Sequence, residues 1–147
     1  MAVAIVAATA AACSWSSVSV TPPHPNVLVA SRCEGLAAVL PDTLAGLKRR
    51  PTTPKSPLIH AWGSPAVTLA CGVPAPAGYH AASTPTLSVD NVQWYEQVGK
   101  AAVTWTAIRP TPLSAHRIYV ALAVPKSYQQ GASFLTALTT PLKAALR

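Results

Sequence analysis

Trp62-Gly63-Ser64-Pro65-Ala66-Val67-Thr68-Leu69-Ala70-Cys71-Gly72-Val73-Pro74 is the stretch that decides the fold. Its alternation puts Val67, Leu69 and Cys71 on one face and Thr68 and Ala70 on the other, as in a strand with one covered side. Gly63-Ser64-Pro65 reads as a turn, so residues 58–62 and 66–71 form a hairpin. Cys71 then faces the side that is to be buried.

Cys33 is placed to meet it. Cys33, Leu36, Leu40, Leu44 and Leu47 fall at i, i+3, i+7, i+11 and i+14, one narrow stripe at about 100° per residue. Pro41 interrupts the pattern, so the segment is expected as one kinked helix or as two turns joined at Leu40-Pro41. Cys33 lies on the stripe in either case. Packing the helix on the sheet brings Cys33 and Cys71 together as a disulfide. Closing a loop of this length stabilises a fold by roughly 4 kcal/mol in the chain-entropy account. The bland alternative keeps both as small buried thiols. An oxidising exterior, which the N-terminus points to, favours the bond. No Cys-x-x-Cys is present, so a redox-active pair is not expected.

Working outward, residues 48–57 read as a basic, Pro-rich loop and 72–85 as a second loop. Residues 86–89 and 92–95 pair around Asp90-Asn91, a two-residue turn. Residues 103–108 and 117–124 are the clearest strands; in the latter Ile118, Val120, Leu122 and Val124 share a face. A final helix covers about residues 132–146, with Leu135, Leu138 and Leu142 on its buried stripe and Pro141 within it. The expected fold is α+β: an antiparallel sheet of about five strands with an N-terminal and a C-terminal helix packed on one face.

The first thirteen residues have a different character. Residues 2–12 are apolar except for Thr9, the length of a signal-peptide core and too short to span a bilayer, which takes about 20 residues. No Lys or Arg precedes Arg32, so the usual basic start of such a leader is missing. Ala10-Ala11-Ala12-Cys13 resembles a bacterial lipobox, with Ala10 where Leu is usual. Lipidation of Cys13 accounts for the odd third cysteine; an ordinary cleaved signal peptide and an uncleaved membrane-associated leader are the alternatives. The expected organisation is a leader over residues 1–13, a Ser/Pro-rich tether over 14–30 and one α+β domain over 31–147. Its place is the extracytoplasmic face of the cell membrane.

The chain of 147 residues carries 11 Lys and Arg against 4 Asp and Glu, a formal charge of +7. Lys48, Arg49, Arg50 and Lys55 form a basic patch within eight residues. Such a patch suits phosphates of anionic lipid or wall polymer; a solvated basic loop is the plainer reading. No aromatic residues interleave the patch, and export removes nucleic acid from the ordinary partners.

Taken in order, Cys33-x-x-Leu36, Leu40-Pro41, Leu44-x-Gly46, Arg49-Arg50, Ala61-Trp62-Gly63, Cys71-Gly72-Val73-Pro74, Val92-x-Trp94, the strand holding Trp105, and Val120 to Val124-Pro125 resemble one family. It is the actinobacterial domain of unknown function 3515, and the likeness covers about residues 30–146. The resemblance implies a small exported or membrane-attached envelope protein and brings no activity or catalytic residues with it.

Little else in the sequence carries chemistry. Glu34, Asp42, Asp90 and Glu96 show no spacing that pairs two carboxylates on one element. His24, His60, His80 and His116 are scattered, and Cys33, Cys71, His60 and His80 lack the short ligand pairs of a zinc site. No nucleophile elbow, phosphate loop or metalloprotease helix occurs. No cofactor or metal is assigned. Trp62, Tyr79, Trp94, Tyr95 and Trp105 are read as core or as an apolar groove or interface. The expectation is a non-enzymatic, membrane-tethered binding or interaction module with an envelope protein or lipid as partner. The alternatives are a lipid or wall-precursor carrier with an apolar groove, and a small hydrolase.

Overall fold

Helix α1, Val27–Val39, starts where Asn26 caps it: the Asn26 side chain accepts from the Val29 amide at 3.0 Å. It stops before Pro41, with Leu40 already extended at φ −67° and ψ 138°, as the residue preceding a proline prefers. The computed structural model describes residues 16–109 and 117–146. The leader over residues 1–13 and Cys13, with its expected lipidation, lie outside the described residues, as does His116.

Eight strands form one antiparallel sheet: β2 (Thr43–Leu44), β3 (Leu47–Arg50), β5 (Ile59–Trp62), β6 (Val67–Val73), β10 (Tyr119–Pro125), β9 (Ala102–Arg109), β8 (Val92–Val98) and β7 (Leu87–Val89), in that spatial order. A second, two-stranded sheet joins β1 (Val18–Ser19) in parallel to β4 (Thr52–Thr53). The C-terminal helix α2, Gly131–Ala145, completes the fold. The α+β class and the antiparallel sheet agree with the sequence reading; the strand number is larger.

The excess has a local cause. The Leu stripe continues past Pro41 in sequence but not in helix: Leu44 and Leu47 face each other across a two-residue hairpin, with Ala45 at φ 46° and Gly46 at φ 87°. Positive φ at both central residues is the turn that matches strand twist. Leu44 is fully buried and Leu47 packs against the core, so the hydrophobic spacing served a hairpin and not a second helical segment. The basic residues Lys48, Arg49 and Arg50 consequently lie on β3 and not in a loop. Helix α1 also begins at Val27, within the stretch read as tether, and β1 within that stretch is held by β4.

The core lies between the helices and one sheet face. Val67, Leu69 and Cys71 of β6 stand beside Val120, Leu122 and Val124 of β10, all buried. Phe134, Leu135, Leu138 and Leu142 of α2 and Val29, Cys33 and Leu36 of α1 close over them. The Cys33–Cys71 disulfide, with alpha carbons 5.6 Å apart, ties α1 to β6. Beyond Cys71, Gly72 takes φ 82° and allows Pro25 to approach; a Cβ there would lie 2.7 Å from the Pro25 ring.

Candidate functional site

Two surface clefts hold most of the residues singled out by sequence, at opposite ends of the sheet. The larger encloses about 500 Å³ and is lined by Thr84, Pro85, Thr86, Leu87, Trp94, Tyr95, Glu96 and Trp105. It exists because β7 is short. The chain joins this edge of the sheet only at Leu87, opposite Trp94, so residues 95–98 of β8 have no strand beside them on that side among the described residues. Leu87 and Val98 are exposed there, Val98 by 68%.

The aromatic residues are divided. Trp94, Tyr95 and Trp105 line this cleft. Tyr79 stacks at an angle on Tyr95, ring centres 5.5 Å apart, and Gln97 donates to the Ala77 carbonyl at 3.1 Å, hanging the 77–84 loop on β8. Trp94 is wholly buried, and its indole N–H has no hydrogen-bond partner among the described residues. Trp105 also lines a smaller cavity of about 200 Å³ with Val103, Val124 and Tyr128, so it stands between two recesses. Trp62 belongs to neither. It is fully buried at the far end of the sheet, and its indole donates to the Pro41 carbonyl at 3.0 Å.

The second cleft, about 340 Å³, is lined by Arg49, Arg50, Pro51, Thr52, Lys55, Ser56, Pro57, Ile59 and His60. Arg49 lies over the Trp62 ring, 5.5 Å from its centre, and directs Nη2 at His60 Nδ1, 3.4 Å away. His60 Nε2 is 3.0 Å from the Pro57 carbonyl. A carbonyl only accepts, so Nε2 carries the proton and Nδ1 accepts from Arg49. Burial, and next the Arg49 charge, hold His60 below the ordinary imidazole pKa, against the hydrogen bond to Pro57. Arg50 donates to the Gly63 carbonyl at 3.0 Å and to the Ser16 carbonyl at 2.6 Å. Lys48, the fourth member of the sequence patch, is exposed on β3 and does not line the cleft.

The four acidic residues lie on different parts of the fold. Asp42 lies 3.8 Å from Arg49 and is 95% exposed, a weak pair. Asp90, in the β7–β8 turn, accepts from Lys143 Nζ at 2.8 Å; that bond, then the lysine charge, lowers its pKa. Glu34 is exposed on α1, and Glu96 lines the aromatic cleft. Among the described residues no three His, Cys, Asp or Glu side chains gather to hold a metal, and no helix is long and apolar enough to cross a membrane. Cys33 and Cys71, bonded to each other, are not metal ligands.

Sequence reasoning missed two features of these clefts. One is the open edge of β8, foreshadowed by Thr84-Pro85-Thr86, where a proline limits strand β7. The other is the approach of Ser16 to Arg50, which no local pattern announces. A family model described as a protein of unknown function, DUF3515, matches residues 1–147. No curated protein and no solved structure matches the chain.

Proposed function

From the premise that this chain belongs to the DUF3515 family of proteins of unknown function, we propose that it is a non-enzymatic, exported envelope protein. Tethered by its N-terminus outside the cell membrane, it binds an extended segment of another protein. One observation carries the reading: among the described residues, residues 95–98 of β8 present an unpaired strand edge beside the aromatic cleft of Leu87, Trp94 and Trp105. A peptide laid along that edge gains main-chain hydrogen bonds, and alternate side chains enter the cleft. Trp105 supplies a large, rigid contact surface at low entropic cost. The apolar leader and the disulfide are consistent with an oxidising compartment.

The carrier reading has less support. An acyl chain needs room between helices and sheet, and Trp62, Leu69, Leu122, Leu135 and Leu138 fill that space with no exposure. Panning a random peptide display library against the protein tests the interaction module. Binders with alternating apolar residues, whose amide shifts map to residues 95–98 and to Trp105 and whose binding is lost in Val98→Pro, are expected. Binders that map elsewhere, or none, overturn it. Cell fractionation with intact-mass measurement tests export: recovery in the cytosol with Met1 and free thiols refutes the tether.

A further inference from the structure

Ser16, the first described residue, and the basic cleft lie at one place on the molecule. Arg50, which lines the cleft, donates through Nη2 to the Ser16 carbonyl and to Ser16 Oγ at 2.6 and 3.3 Å. Thr53 Oγ1 donates to Ser17 Oγ at 2.7 Å, and Val18–Ser19 pairs with Thr52–Thr53. The main chain reinforces this, with the Val18 amide on the Pro51 carbonyl at 2.8 Å and the Val20 amide on the Thr53 carbonyl at 3.0 Å. The first described residues are thus fastened to the rim of the cleft. Cys13 precedes Ser16 by three residues, and three residues of extended chain span at most about 11 Å.

We infer that the cleft of Arg49, Arg50, Lys55 and His60 is a binding site for the phosphodiester headgroup of an anionic phospholipid in the membrane that holds the leader. The lining contains three cations and no carboxylate. Arg49 is oriented by the Trp62 face beneath it and by His60 beside it, so little conformational freedom remains to be lost when it meets a phosphate. Lys55 is exposed on the 51–57 loop and makes no ion pair among the described residues. Ser56, on the same rim, accepts at Oγ from the Leu58 amide at 3.1 Å and fixes the loop's shape. A leader entering the bilayer at Ser16 brings this cationic concavity to the headgroup layer, where each Lys or Arg strengthens attachment by about fivefold. The headgroup contact also sets orientation: the end with Trp62 faces the membrane, and the aromatic cleft at β7–β8, the far edge of the sheet, faces away.

The inference rests on the leader being the membrane-side end, and the test separates the two. The full chain is floated with vesicles of phosphatidylcholine alone and with vesicles of equimolar phosphatidylcholine and phosphatidylglycerol. Binding to phosphatidylcholine alone reads the leader; the additional affinity for phosphatidylglycerol reads the cleft. Lys55→Gln is expected to lower that additional affinity by about fivefold and Arg49→Gln with Lys55→Gln by about 25-fold. Arg32→Gln with Lys100→Gln, which removes the same charge from residues that do not line the cleft, is expected to leave it within about twofold. Equal losses in both pairs, or no preference for phosphatidylglycerol in the unmodified chain, overturn the site. Undiminished preference in Lys55→Gln, together with glycerol phosphate shifting the His60 resonances, also overturns it by assigning the cleft to a soluble anion. Lys55 is exposed, so that variant keeps its fold where Arg49→Gln fails to.

Discussion

The indole N–H of Trp62 reaches back across 21 positions to the carbonyl of Pro41, at 3.0 Å. This bond joins the first strand of the decisive hairpin to the corner where α1 ends, and the Trp ring also supports Arg49. Trp62→Phe keeps most of the apolar volume and deletes the donor. The expected loss is about 1–3 kcal/mol of unfolding free energy, the cost of leaving a part-buried carbonyl without its partner. Urea denaturation measures it; an unchanged midpoint would refute the role given to this bond.

Removing the Cys33–Cys71 bond by a double Ala substitution is expected to cost about 4 kcal/mol, from a loop closed over a separation of 38 residues. Denaturation with and without reductant should give the same shift in the unmodified chain. A shift under about 1 kcal/mol would mean that the unfolded chain is already restricted in that loop.

Ala45 occupies φ 46°, where its Cβ is crowded. Ala45→Asn makes Asn-Gly of the β2–β3 turn, the preferred pair for this geometry. Stability is expected to rise by roughly 0.5–1 kcal/mol, read as a higher Tm. The same change at a negative-φ loop position such as Ala81 should not stabilise.

Acid should weaken the fold in two steps. His60 titrates below the ordinary value of 6.5 in the folded protein, so the unfolded chain takes up its proton first. The stability from a neutral His60 is present above pH 6.5 and is lost as pH falls from there through the folded pKa. His60→Gln, which retains an N–H for Pro57, should flatten that slope. Asp90 is also lowered, by Lys143; its contribution is present above the unfolded carboxylate range and disappears as pH falls through the folded pKa. Lys143→Met should remove this second, more acidic step and leave the first. Stability curves against pH for the two variants check both.

How much of this was legible depends on how local the cause was. The β5–β6 hairpin, the Asp90-Asn91 turn and α2 were readable because turn chemistry and periodicity agreed there. Asp90 and Asn91 have φ 47° and 65°, conformations that Asp and Asn tolerate. Residues 40–50 misled because Leu44 and Leu47 fit a helical stripe and a hairpin equally well, and Ala45 is a poor advertisement for a positive-φ turn. Asn26 before Val27 was a usable cap signal for the true start of α1. The aromatic residues could be named from sequence, but their division could not. Trp62 and Trp94 are both buried, and only the register of β7 against β8 decides that Trp94 borders a cleft. The attachment of Ser16 and Ser17 to β3 and β4 is a tertiary event between two-residue strands, too short to leave a periodic trace.

The order of strands has a consequence for biosynthesis. The middle seam of the sheet pairs β6 with β10, Cys71 lying opposite Val120, while α2, which roofs the core, follows later still. A chain emerging N-terminus first therefore cannot seal this core until β10 and α2 have followed. Both sulfurs of the staple precede β10 and α2 in the chain, so in an oxidising compartment the N-terminal half can be cross-linked before its other half arrives.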